Sequence, residues 1–414
     1  MKKIDKIFFM IFLLFQVNFF DFLDTKDSIL QGLASYSQKK ILVLFILVYL
    51  VVRPLFIEKK ENKSYFKVFV GFTMFAWLAI LFATVHIFHQ GLLSTFFIGY
   101  YFLILLLYFP FSRFFVTWNV WDSVIRITAI FSVILSSTKI VQSFFLSFLH
   151  KNIFYLNNID YDTAIQMKFM TLGFTRIASA TDFVFVATAF LIMGIILDRQ
   201  IFSSKVRTCL LLVNVFYIIV IGQTRLYIIL MILILSLFLL KQFIKVNGSL
   251  LTASVITVIA IPFLFLIIMI MNKVLFSDSS RAIAFTIRLQ AMQYYLDNIA
   301  LNGWFSMGFA RDDLFSTLIH GGSFLYNFDD VGMIGFVGRF GWLGVTSLAF
   351  FIVSLIMNFI RSLRKYTTFI CIVILIGTSV SVSLLDPQRI FYLPLILAFM
   401  DFLTYQKISE GKNE

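Results

Sequence analysis

The chain carries a small number of charged residues that sit where an apolar sequence gives them no solvent to face. Arg176 closes a polar stretch in FTRIASATD (174–182), just ahead of an apolar run. Arg225 occupies a turn of only a few residues, GQTRL, between two apolar runs. Arg288 lies in a segment, 282–300, whose apolar and polar residues fall on different faces and which suits a helix lying along a membrane surface. A guanidinium binds phosphate oxygens two at a time, so arginines brought together suit a pyrophosphate. Lys139 and Arg339, each set among apolar residues, are further candidates; the alternative for both is a long side chain reaching out to the lipid headgroups. The acids and the imidazole matter for another reason. A hydroxyl is a poor nucleophile, and a carboxylate or imidazole placed against it takes its proton as it attacks. His320, Asp312, Asp313, Asp329 and Asp330 are the candidates close to Arg288 in sequence. Asp312 and Asp313 read more simply as a solvated loop. Asp330 precedes an apolar run, where an N-cap is the plainer role. His86, His89 and His150 are weaker candidates, at a span end or in a loop.

These residues must be held by a frame, and the composition says what kind. The sequence has 414 residues, is 60% hydrophobic and only 13% charged, with a mean hydropathy of +0.95. Soluble domains carry about 25% charged residues. Apolar runs recur at lengths near those that cross a bilayer, without the short alternation of a β-barrel. The expected fold class is therefore all-α and polytopic, with about twelve transmembrane helices. The expected spans are 7–23, 41–57, 67–88, 92–111, 124–148, 183–198, 208–222, 226–244, 250–271, 331–358, 367–385 and 388–405. The first, opening Met-Lys-Lys, resembles a signal peptide, but no small-residue cleavage site follows, and a retained signal anchor is expected.

Basic residues in short loops set orientation. With the N-terminus in the cytoplasm, every short inner loop is basic: Lys2, Lys3 and Lys6; Arg53 to Lys67; Arg113 and Arg126; Arg199 to Arg207; Lys241 and Lys245; Arg361 to Lys365; Lys407 and Lys412. Both termini then face the cytoplasm, and the two long loops, 149–182 and 272–330, lie outside. The whole chain, 1–414, reads as a single integral membrane domain whose 272–330 loop, with short helices, carries the chemistry. The net charge of +13 is thereby mostly topological, and nucleic acid is not expected as a partner. Cys209 and Cys371 sit in apolar runs and suggest neither a disulfide framework nor a metal site. No metal or other cofactor is expected, because no ligand spacing is evident and arginines can supply positive charge. Glycines recur at every third position from Gly332 to Gly344, a small-residue stripe that lets another element approach closely.

The order of these motifs resembles the O-antigen polymerase and ligase family of bacterial envelope glycosyltransferases. The resemblance rests on RIASATD (Arg176–Asp182), QTRLYIILM from Gln223, RLQAMQYYLDNIALNGWFSMGFA from Arg288 and DVGMIGFVGRFGWLG from Asp330, and covers residues 170–345. Many members carry His where Asp330 stands, so either Asp330 replaces the imidazole or His320 reaches in from the loop. The resemblance implies a multi-pass cytoplasmic-membrane polymerase of O-antigen, capsular or exopolysaccharide repeat units. Its substrate would be oligosaccharide on undecaprenyl pyrophosphate, with a chain-length regulator and a flippase as partners. Arg176, Arg225 and Arg288 would hold the pyrophosphate, and Asp330 or His320 would act as base. A ligase of the same fold, or a twelve-span flippase or transporter, remains the alternative.

Overall fold

The computed structural model describes residues 2–19, 37–56, 64–154, 173–247, 279–381 and 383–410. The expected span 250–271 lies outside these residues. So do 155–172 and 272–278 of the two long loops and the ends of the first two expected spans. Among the described residues the fold is all-helical, without strands, and it is a membrane-embedded architecture. Six helical segments among the described residues are long and apolar enough to cross a membrane: Lys67–Phe88, Leu92–Phe114, Trp118–Phe148, Ser204–Gly222, Arg225–Gln242 and Met333–Arg361. Three shorter apolar helices, Thr181–Ile196, Lys365–Ser379 and Tyr392–Thr404, accompany them.

The chain forms two compact units, one of residues 1–42 and 118–275, the other of 43–117 and 276–414. In chain order the helices are α1 (Lys3–Gln16), α2 (Ser37–Val52), α3 (Lys67–Phe88), α4 (Leu92–Gly99), α5 (Tyr108–Phe114), α6 (Trp118–Phe148) and α7 (Thr181–Ile196). They continue with α8 (Ser204–Phe216), α9 (Arg225–Asn247), α10 (Ser279–Asn302), α11 (Asp312–His320), α12 (Met333–Arg361), α13 (Lys365–Ser379) and α14 (Tyr392–Glu410).

The first unit is built around α7. Its sequence, FVFVATAFLIMGII after Asp182, is apolar all round, and a helix of that kind must be covered on every side. It packs against α6, α8 and α9, and Phe183 to Ile195 are all buried. Polar side chains fix the neighbours: Asn214 of α8 donates to Ser132 at 2.8 Å and accepts from Ser136 at 2.9 Å, both on α6.

The second unit is organised by α12, which packs on α3 and α10. Thr73 and Ser347 hydroxyls meet at 2.5 Å across the α3–α12 contact. The glycine stripe does serve close approach. A Cβ on Gly338 would lie 3.0 Å from Cβ of Tyr295 on α10, and one on Gly335 would lie 2.1 Å from the Phe328 carbonyl oxygen. The helix is not continuous, however. Gly341 adopts φ 58°, ψ −142°, a backbone that side chains resist, and it breaks the run. The break frees carbonyls upstream, and the 303–311 loop fills them: Gly308 N–H donates to Arg339 O at 2.9 Å, and Met307 N–H to Gly338 O at 3.4 Å. Opposite, Asp401 of α14 is fully buried and accepts from the Tyr108 hydroxyl at 2.7 Å and the Tyr65 N–H at 3.1 Å.

Candidate functional site

In the second unit the candidate residues gather where α10, the short 3-10 turn Phe328–Asp330 and the start of α12 meet. α10 presents Arg288, Ala291 and Tyr295 at helical spacing, with Ala291 and Tyr295 buried. Tyr295 stacks on Phe328, ring centroids 4.5 Å apart and planes 16° apart. Its hydroxyl donates to the Ile319 carbonyl at 3.0 Å, while Tyr294 donates to Leu318 at 2.8 Å. Those carbonyls belong to the last turn of α11, which has no intrahelical donors of its own. The Tyr326 N–H takes the His320 carbonyl at 3.1 Å, so the end of α11 is capped from three sides. Burial holds the Tyr295 phenol protonated far above its ordinary range, in keeping with its role as donor.

Asn327 sets the 3-10 turn: its side chain accepts the Asp329 N–H at 3.3 Å. The two aspartates that follow each face an arginine. Asp330 Oδ1 lies 3.8 Å from Arg288 Nη2, and Asp329 Oδ1 lies 4.0 Å from Arg339 Nη2. The pairs differ in environment. Arg288 and Asp330 are 45% and 56% exposed, open to a ligand. The Arg339 side chain is 16% exposed, donates to the Tyr101 hydroxyl at 2.9 Å, and lies 4.5 Å over the Phe328 ring. It is held in place by the protein. Asp386 is within electrostatic reach of Arg339 and Tyr101, and it pairs with Arg389 on the segment between α13 and α14.

His320 is placed differently. Its Nε2 faces Asp312 Oδ1 at 2.9 Å and its Nδ1 faces the Tyr326 carbonyl at 2.5 Å, so both ring nitrogens are engaged. An imidazole held at both nitrogens positions its neighbours; it must give up one bond to accept a proton from a substrate.

The first unit assembles its own cluster. The segment 175–180 runs beside the turn at the end of a π-helical stretch, Tyr217–Gly222. Ile177 N–H donates to Ile221 O at 3.0 Å, Arg176 Nε donates to Gly222 O at 3.3 Å, and Tyr217 OH donates to Ser179 O at 2.8 Å. Gly222 is required there, since a Cβ would sit 2.7 Å from Thr181 Oγ1. Lys139, buried within α6, donates to Ser179 Oγ at 2.5 Å. Arg225 is the first residue of α9, immediately past the turn, where Gln223 takes a left-handed φ of 48°. Lys139, Arg176 and Arg225 thus attend one pair of facing turns, although they are far apart in sequence. Arg288, Arg339, Asp330 and His320 belong to the other unit.

Sequence reasoning did not find Tyr101, Tyr295, Asp386 or Arg389. The last two carried a signal: an acid and a base three residues apart, with Pro387 between them, form a charged island between two apolar runs. Tyr101 carried none, being one aromatic in an apolar run. Against known proteins, the chain matches no family model, no curated protein and no solved structure.

Proposed function

We propose that the protein is a membrane glycosyltransferase that polymerises surface-polysaccharide repeat units carried on undecaprenyl pyrophosphate. In this reading the chain crosses the cytoplasmic membrane about twelve times, with both termini inside and the 272–330 segment on the outer face. The observation that carries it is the exposed Arg288–Asp330 pair, backed by the less exposed Arg339–Asp329 pair. Glycosyl transfer needs a base for the attacking hydroxyl and a cation for the departing phosphate, and that turn offers both side by side.

The step is a displacement at the anomeric carbon. A hydroxyl oxygen of the acceptor sugar forms the new bond to that carbon, and the bond from it to the phosphate oxygen breaks. The hydroxyl proton passes to Asp330, and the electron pair leaves with the lipid pyrophosphate. Arg288 stabilises the charge that grows on the leaving oxygen. Asp330 is favoured over His320 as base because its carboxylate is open, whereas both His320 nitrogens are held. Arg339 and Tyr101 fix the turn on which the base sits. The test is a chain-length ladder from cells whose only copy carries Arg288→Ala. The expected result is single repeat units on lipid with no ladder; a normal ladder removes Arg288 from the mechanism. A glycan moved once onto a different acceptor, with no ladder from the wild type, would mark a ligase instead.

A further inference from the structure

A second polar surface lies in the same unit, formed by residues that the catalytic reading does not use. Ser94, Phe97 and Ile98 of α4 face Arg311, Asp312, Asp313 and Ser316 at the start of α11 across an open groove of about 800 Å³. Its walls are held by bonds that do not involve the groove face. Buried Gln90 accepts the Arg311 N–H at 3.1 Å, and its amide donates to the Phe309 carbonyl at 2.8 Å and to Thr95 Oγ1 at 2.7 Å, which staples the 309–311 segment to α4. Phe309 in turn fills the space beside Gly99, where a Cβ would lie 2.8 Å from its ring. Arg311 and Asp313 form a planar two-bond pair, 3.0 Å and 2.5 Å, and the guanidinium keeps that carboxyl below its ordinary range. Asp312 is oriented by His320. Phe97 is 45% exposed, although it is a large apolar ring beside charged groups.

We infer that this groove binds the oligosaccharide of the substrate, as a neutral glycan subsite separate from the pyrophosphate site. The inference rests on the glycosyltransferase reading for its premise that a glycan is present. The chemistry selects the class. Sugar hydroxyls both donate and accept, and the groove offers carboxylate oxygens, a guanidinium and serine hydroxyls in fixed positions. An exposed aromatic ring offers the flat apolar surface on which the C–H face of a pyranose rests. Two carboxylates against one guanidinium repel a phosphate, and each carboxylate already has a partner, Arg311 for Asp313 and His320 for Asp312, which leaves a bare cation little to bind.

The experiment uses the full chain in nanodiscs and two probes: the oligosaccharide released by mild acid from the lipid carrier of the source cells, and inorganic pyrophosphate. Binding is read by saturation-transfer NMR. Phe97→Ala, Arg311→Ala and Ser316→Trp, the last of which fills the groove without removing any bond described above, should each weaken glycan binding about tenfold or more. Pyrophosphate binding should be unchanged in all three. Equal glycan binding by wild type and all three variants, or no glycan binding by wild type, overturns the subsite. The ladder from Arg288→Ala cells is scored separately. A normal ladder there removes the catalytic premise, whereas a lost ladder together with unaffected glycan binding in the groove variants rejects the groove alone.

Discussion

Replacing Arg288 by alanine separates a catalytic role from a structural one, because its geometry makes the two expected costs differ. As a structural ion pair it contributes little. The nitrogen–oxygen distance is 3.8 Å and both side chains are close to half exposed, so solvent screening leaves at most about 1 kcal/mol. Thermal unfolding in detergent should therefore move by no more than about 4 °C. As a stabiliser of a leaving phosphate it contributes more. A unit charge about 4 Å from the guanidinium is stabilised by about 1 kcal/mol in water and about 4 kcal/mol where the effective dielectric falls near 20. Only the share that grows as the bond breaks accelerates the reaction. The full range corresponds to a loss of between about fivefold and nearly a thousandfold in rate, and the growing share sets where in it the variant falls. The assay is the initial rate of chain extension in membrane vesicles, with protein amount and melting temperature measured on the same samples. Arg288→Lys keeps the charge but not the two-pronged grip, and should fall between wild type and alanine. A rate within twofold of wild type for Arg288→Ala would refute the reasoning, as would a rate loss matched by a collapse in melting temperature.

Two further outcomes follow from the same turn. A methyl group on Gly335 would collide with the Phe328 backbone, so Gly335→Ala should displace Asp329 and Asp330, cost about 1–3 kcal/mol in stability and lower the extension rate at least about tenfold; a normal rate would mean that the turn does not position the acids. Burial raises the Tyr295 phenol above its ordinary 10.0, so the neutral form is favoured in the folded state and its contribution is full below about pH 10. That contribution declines as pH rises toward the folded-state value, so Tyr295→Phe should flatten the alkaline fall in melting temperature, and an unchanged alkaline limb would contradict this.

The all-helical, membrane-embedded character was legible in the sequence, because the requirement to bury or to face lipid is written in long apolar runs, but among the described residues six helices, and not the expected twelve, are long and apolar enough to cross a membrane. The expected span 67–88 coincides with α3, and Thr181–Ile196 and Arg225–Asn247 begin within two residues of their expected starts. What the runs concealed were the breaks inside them. The expected span 92–111 is α4, a 3-10 stretch Tyr100–Leu107 and α5 in succession. The Trp77 indole takes the Gly99 carbonyl at 2.8 Å where the winding changes, and Pro110 lacks the N–H that a continuing helix would use. The first effect cannot be read without knowing what lies opposite. The glycine stripe announced close packing, but not that Gly341 would break α12 and that the 303–311 loop would occupy the freed carbonyls. In the site, charge isolated in an apolar setting pointed to Arg288, Arg339 and Asp330. Tyr295 and Tyr101 escaped notice because their roles come from a stacked ring and a donated hydroxyl, which composition does not reveal.

The most direct measurement is chain extension by the purified protein, reconstituted in liposomes with repeat-unit oligosaccharide on undecaprenyl pyrophosphate and nothing else. A ladder of products with release of lipid pyrophosphate is expected, and its loss when Asp330 is changed to Asn. A protein that leaves the lipid-linked unit unextended, or an Asp330→Asn variant that extends it at the wild-type rate, would contradict the central claim.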